Sequence, residues 1–290
     1  MKINWFPGHM KKTIDQMKED VKDIDVIIYV LDARAPVSCL NPSFLNVVKK
    51  KPIVFVLNKA DLVDKDSLAP FVMKLSQRQK SKVVVLTATS TSSKSKIIDA
   101  IHEVLADKLA YFESKGAKIT TKAMIIGVPN SGKSTIANTL AGKVKAQTGN
   151  RAGVTKVKQW VKISPYVEVL DTPGALWPNL DNEFIAQNLA FIGSIKVEVL
   201  DMEEICFKLI EKLQKIDDQA IEKRFSITIE TEDTTLDIIE KIASAKGFKI
   251  RGGETDYQRV YQTLLTDYKK GKLTSKVLDV KETLNRKWNI

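Results

Sequence analysis

Apolar residues along this chain of 290 residues come in short runs separated by stretches of helical spacing. Runs at 26–31, 53–57, 83–86, 123–126, 158–163 and 167–170 are rich in Val and Ile and are expected to be strands. Segments 11–22, 41–49, 68–78, 94–114, 134–140 and 181–192 repeat their apolar positions at helical intervals. Pro42 suits the first turn of its helix, where no backbone donor is needed. Strand–helix alternation of this kind predicts an α/β fold, a mostly parallel six-stranded sheet with helices on both faces. Beyond about residue 194 the pattern turns helical, at 202–216, 236–245 and 257–268, with at most one short strand at 225–229. Thr234 and Asp237 have the spacing of a capping arrangement, and Gly247 and Gly271 read as helix stops. The expected division is a unit over 1–190 and a small helical unit over 191–290.

Composition narrows the class. No stretch approaches the run of about 18 apolar residues that a membrane helix needs, and the opening residues lack a signal-peptide core. Two cysteines, Cys39 and Cys206, lie far apart and read as thiols of a reducing compartment. A cytoplasmic protein without membrane contact is expected. The net charge is +11, and the whole excess lies in residues 1–195. A basic surface of this kind fits a polyanionic partner such as RNA; a lysine-rich surface that keeps the protein soluble is the alternative.

Three groups of residues carry chemistry. Gly127-Val-Pro-Asn130-Ser131-Gly132-Lys133-Ser134 follows an expected strand and opens an expected helix, which is the context of a phosphate-binding loop. Backbone N–H groups from Asn130 to Thr135 would wrap the phosphates, Lys133 would reach the β- and γ-phosphates, and Ser134 would bind Mg²⁺. Asp171-Thr-Pro-Gly174 ends another strand: Asp171 suits Mg²⁺ contact through water, and Gly174 can offer its N–H to the γ-phosphate. Between them lies Thr155, a candidate second magnesium ligand in a loop that could order around the γ-phosphate. Asn58-Lys59-Ala60-Asp61 supplies a carboxylate for the paired N1–H and N2–H donors of guanine, which adenine lacks. Thr87-Ala88-Thr89, at the exit of the next strand, fits a backbone clamp on the guanine oxygen.

Their order is unusual. In Ras-like proteins the phosphate motifs come first; here residues 58–61 and 87–89 precede 127–134 and 171–174. The chain therefore reads as a circularly permuted Ras-like P-loop GTPase domain followed by a helical C-terminal part. Together with Trp5-Phe6-Pro7-Gly8-His9-Met10 and Asp32-Ala-Arg34-Ala-Pro36, these motifs resemble the YlqF-like circularly permuted GTPases, the ribosome biogenesis GTPase A family. The resemblance implies GTP and GDP as ligands, and a late role in assembling the large ribosomal subunit. It also implies stimulation by the precursor particle and a C-terminal region that touches ribosomal RNA. Off the ribosome a monomer is expected.

Ala175 and Leu176 follow Gly174, where Ras-like enzymes place a water-orienting Gln. Two substitutes are visible. Asn130 resembles the Asn of potassium-activated GTPases, so K⁺ is expected beside Mg²⁺. His9 could orient water once a partner orders it, or could serve only partner contact or packing beside Trp5 and Phe6.

Overall fold

The computed structural model of the chain describes residues 8–142, 159–177, 180, 182–196 and 201–280. Six strands form one sheet: β1 (Val26–Asp32), β2 (Ile53–Asn58), β3 (Ser81–Val85), β4 (Thr121–Ile126), β5 (Gln159–Ser164) and β6 (Val167–Asp171). Their spatial order is β3-β2-β1-β4-β6-β5. All neighbours are parallel except β5 and β6, so the mostly parallel six-stranded sheet is as expected. β1 and β2 are buried along their whole length, which is why they read as unbroken apolar runs rather than as alternating ones.

The helices are α1 (Gly8–Asp20), α2 (Pro42–Val48), α3 (Lys65–Ser76), α4 (Ser93–Val104), α5 (Ala106–Ser114), α6 (Lys133–Ala141), α7 (Glu183–Phe191), α8 (Met202–Ile216), α9 (Ala220–Phe225), α10 (Thr235–Lys246) and α11 (Tyr257–Lys269). Local chemistry sets several ends. Asn41 accepts from the Ser43 N–H ahead of Pro42, and Asp64 caps α3. Thr234 and Asp237 form a reciprocal capping box. No described helix is long and apolar enough to cross a membrane.

One expectation is narrowed and one is corrected. The strand at 225–229 does not form: Phe225 closes α9, Ser226 turns left-handed at φ 57°, and its N–H bonds back to Glu222. Ile227 and Ile229 alternate like a strand but pack half-buried against the core, and among the described residues no strand pairs with them. The single helix at 94–114 divides at Leu105, whose buried side chain sits where α4 gives way to α5.

Side chains alternate across the sheet into two apolar layers. Val26, Ile28, Val30, Val54, Val56, Ala123 and Ile125 meet Ile97, Ile101 and Leu140 of α4 and α6 on one face. Ile27, Tyr29, Leu31, Phe55, Leu57 and Met124 on the other face belong to a core that continues into α7 through α11. The C-terminal helices therefore share a core with the sheet. Beyond α11 the chain returns over the loops that follow β1 and β2. The Ser275 carbonyl accepts from Asp64 N–H at 2.9 Å and Leu278 N–H donates to the Arg34 carbonyl at 2.7 Å. Asp279, buried, accepts from Val37 N–H, Ser38 Oγ and Asn188 Nδ2 at 2.6, 2.6 and 3.0 Å.

Candidate functional site

The motif residues converge because parallel strands deliver them to one edge. Asp32 ends β1, Asn58 ends β2, and the two pair in register. Asp171 ends β6 beside Ile125 of β4, and the 127–132 loop leaves β4 in the middle of the sheet, entering α6 at Lys133. Carboxyl ends of parallel strands are where ligands of open α/β sheets bind.

The loop keeps its shape through backbone that only particular residues adopt. Gly132 has φ 100°, and a Cβ there would run into Asn58 Nδ2. Asn130 is left-handed at φ 59°, a conformation Asn tolerates. Its Nδ2 donates to the Gly193 carbonyl at 2.6 Å, and Ser194 Oγ donates to the Pro129 carbonyl at 2.7 Å. The loop is thus held from behind by the turn after α7.

Asn58 joins the three motifs. Its Nδ2 donates to the Ser131 carbonyl at 2.9 Å, and its Oδ1 accepts the Ala88 N–H at 2.9 Å. Lys59, at φ 61°, donates from Nζ to the Asn130 carbonyl at 2.8 Å and to Asp32 Oδ2 at 2.7 Å. Ala60 donates its N–H to the Leu86 carbonyl at 3.2 Å. Asp61 is exposed at the mouth of the site, where Thr87 Oγ1 donates to its Oδ1 at 2.7 Å and accepts its N–H at 3.3 Å. Thr87 thus orients the Asp61 carboxylate, and the Ala88 N–H is engaged by Asn58 in this state; the tripeptide's first visible work is within the protein.

The phosphate end is different. Lys133 is buried, and its Nζ rests on the Val128 carbonyl at 2.8 Å. Burial lowers its pKa to about 8, against the opposing pull of Asp171. Gly174 lies against this ammonium: a Cβ there would stand 2.6 Å from Lys133 Nζ and 2.9 Å from Pro129. Asp171 is 1 % exposed, and neither carboxylate oxygen has a hydrogen-bond partner. Burial raises its pKa, with Lys133 and the nearby Ser134 hydroxyl pulling the other way. A buried carboxylate without partners, beside a serine at a helix start, fits a divalent cation with its water shell. Thr135 follows in the first turn of α6.

Ala175 and Leu176 are fully buried, and Leu176 N–H points to Met10 Sδ at 3.4 Å. His9 stands in the first turn of α1, next to Met10; its side chain, Trp5, Phe6 and Thr155 lie outside the described residues. The clustering of Asp32 and Arg34 with Lys59 is not among the expectations from sequence. An Asp-x-Arg pair at a strand end one strand away from Asn58 was the available signal.

The chain is similar to known proteins over most of its length. Residues 122–241 match the family model described as 50S ribosome-binding GTPase. Ribosome biogenesis GTPase A of Bacillus licheniformis is 33% identical over 268 residues, covering 92% of this chain and 94% of the relative. The Thermotoga maritima protein of the same name is 30% identical over 276 residues, covering 93% and 91%. The GNP-bound structure of YlqF from T. maritima superposes with a TM-score of 0.63 at 24% identity, over 92% of this chain and 97% of that one. A GDP-bound YlqF structure gives a TM-score of 0.66 over 92% and 99%. These two share the permuted GTPase fold.

Proposed function

The chain belongs to the ribosome biogenesis GTPase A family, and from that premise we propose that it hydrolyses GTP with Mg²⁺ to assist late assembly of the large ribosomal subunit. Its nucleotide state sets how tightly it holds the precursor particle. The observation that carries this reading is the Asn58 side chain bridging Ser131 and Ala88, which makes one cleft of motifs far apart in the chain.

In this reading Asp61 accepts from guanine N1–H and N2–H₂, the Lys59 stem lies over the base, and Ala60, Thr87 and Ala88 border it. Adenine would leave the carboxylate without donors, a loss of about 1–3 kcal/mol or more. Backbone N–H groups of Asn130, Ser131, Gly132, Lys133, Ser134 and Thr135 wrap the phosphates. The Lys133 ammonium exchanges the Val128 carbonyl for β- and γ-phosphate oxygens, and the Gly174 N–H meets the γ-phosphate. Ser134, Thr155 and, through water, Asp171 would hold Mg²⁺, which neutralises charge on the transferring phosphoryl group when bound.

Water activation needs a substitute for the absent Gln, because Ala175 and Leu176 are apolar and packed away. We assign it to His9 and to K⁺ held with the help of Asn130. The Leu176–Met10 contact supports the first, since it brings the turn carrying His9 next to the segment after Gly174. The Nδ2 bond to Gly193 supports the second by fixing the amide plane of Asn130. Residues 191–290 act as the particle-facing unit, the basic excess of residues 1–195 favours ribosomal RNA, and the protein works as a cytoplasmic monomer off the particle.

Co-sedimentation with large-subunit precursor particles tests the switch. Binding should be strong with a non-hydrolysable GTP analogue, weaker with GDP, and should fall steeply with salt; equal binding in both states would remove nucleotide control. Na⁺ replacing K⁺ should slow hydrolysis, and His9→Ala should spare GTP binding while lowering particle-stimulated turnover.

A further inference from the structure

The end of β1 carries a buried charge cluster that the proposed chemistry leaves unused. Arg34 folds back on Asp32, donating Nε to Oδ1 at 2.9 Å and Nη2 to Oδ2 at 2.7 Å, with its own N–H on Oδ1 at 3.1 Å. The two side chains are 3% and 0% exposed. Burial alone would raise the Asp32 pKa, but Arg34 and then Lys59 hold it well below the usual carboxylate range. Oδ2 has a second donor, Lys59 Nζ at 2.7 Å, which also donates to the Asn130 carbonyl of the phosphate loop. The lysine is thus fixed from two sides, by the buried Asp32 carboxylate and by the Asn130 carbonyl of the loop.

Arg34 also faces the other way. Its Nη1 donates to the carbonyl of Lys269, the last residue of α11, at 3.2 Å. Its guanidinium stands 5.5 Å from the centre of the Tyr268 ring, within the range of a cation–π contact. One planar fork therefore joins the carboxylate that sets Lys59 to the end of α11. A lysine at 34 lacks the geometry to hold two carboxylate oxygens and a carbonyl together.

We propose that Arg34 is a positioning residue for guanine binding, clamping Asp32 so that Lys59 lies where the base stacks, and that the seating of α11 controls this clamp. The inference rests on residues 58–61 being the guanine site. It gives the C-terminal helices a path to the base side of the nucleotide. A partner that displaces α11 loosens the base more than the phosphates.

The test compares GDP affinity and dissociation rate with the affinity for inorganic triphosphate, a base-free probe, in the full-length protein with Mg²⁺. Arg34→Met should weaken GDP roughly tenfold, mostly through faster dissociation, and weaken triphosphate binding much less. Arg34→Lys should recover only part of the loss. Combined with Lys59→Met, it should add nothing to the Lys59→Met defect, because both act through the same ammonium. Tyr268→Leu, acting from α11, should also speed GDP release, whereas Tyr268→Phe should not, since the Tyr268 hydroxyl is buried without a partner. These two variants keep the test alive if Arg34→Met does not fold. Equal weakening of GDP and triphosphate, additivity with Lys59→Met, or unchanged GDP release in Tyr268→Leu would each overturn the proposal. Wild-type protein that binds ADP as tightly as GDP would instead sink the guanine-site reading beneath it.

Discussion

The two ends of the nucleotide cleft are built on opposite principles. At the base end the buried polar groups are answered within the protein: the Asp32 carboxylate by Arg34 and Lys59, and the Asn58 amide by Ser131 and Ala88. At the phosphate end Asp171 is buried with no hydrogen-bond partner, and Lys133 is buried on a single carbonyl with a depressed pKa. Internally paired groups make a rigid template; unanswered groups store a cost that only a ligand of the right charge relieves. The base end is therefore ready before the nucleotide arrives, whereas the phosphate end is completed by the triphosphate and its cation. A switch needs the second kind of site where the states differ, and the γ-phosphate is where GTP and GDP differ.

Substitutions should break this contrast in a definite order. Asp32→Asn leaves Arg34 buried without its counter-charge and should cost about 3–5 kcal/mol of stability, read from denaturant unfolding. Lys133→Ala should weaken a non-hydrolysable GTP analogue by about 100-fold, the scale of a lost charge-assisted bond, while barely changing guanosine binding. Asp171→Asn should stabilise the nucleotide-free protein by about 1 kcal/mol and abolish Mg²⁺-dependent hydrolysis, a gain of stability with a loss of function.

Titration sharpens the same contrast with a smaller effect. The ordinary value for both carboxyls is 3.8; folding lowers that of Asp32 and raises that of Asp171. Asp32 contributes stability above pH 3.8 that is lost as the pH falls through its folded value, so the Asp32→Asn penalty should shrink in acid. Asp171 favours the fold below pH 3.8 and loses that contribution as the pH rises through its folded value. The Asp171→Asn gain should therefore grow above pH 3.8. Parallel pH profiles for the two variants would contradict the account.

Much of this is legible in the sequence. The phosphate loop, the guanine motif and their permuted order are contiguous words, each fixed by local backbone needs and by a strand before it. The sheet was legible because strands buried on both faces leave apolar runs. Contacts between distant segments were not. Arg34 meeting Lys269, Asp279 meeting Ser38, and Thr87 holding Asp61 depend on how elements pack, and no spacing encodes them. The missing strand at 225–229 shows the same limit: Phe225, Ile227 and Ile229 alternate, but alternation makes a strand only where another strand can pair with it. Leu105 likewise carries helical spacing across a break that packing imposes.

Amide hydrogen exchange, compared between the nucleotide-free protein and its complex with Mg²⁺ and a non-hydrolysable GTP analogue, tests the contrast most directly. Residues 32–34 and 58–60 should already be protected without nucleotide and change little, while 128–135 and 171–176 should gain protection strongly. A base end that exchanges freely until nucleotide binds, with a phosphate end already protected, would contradict it.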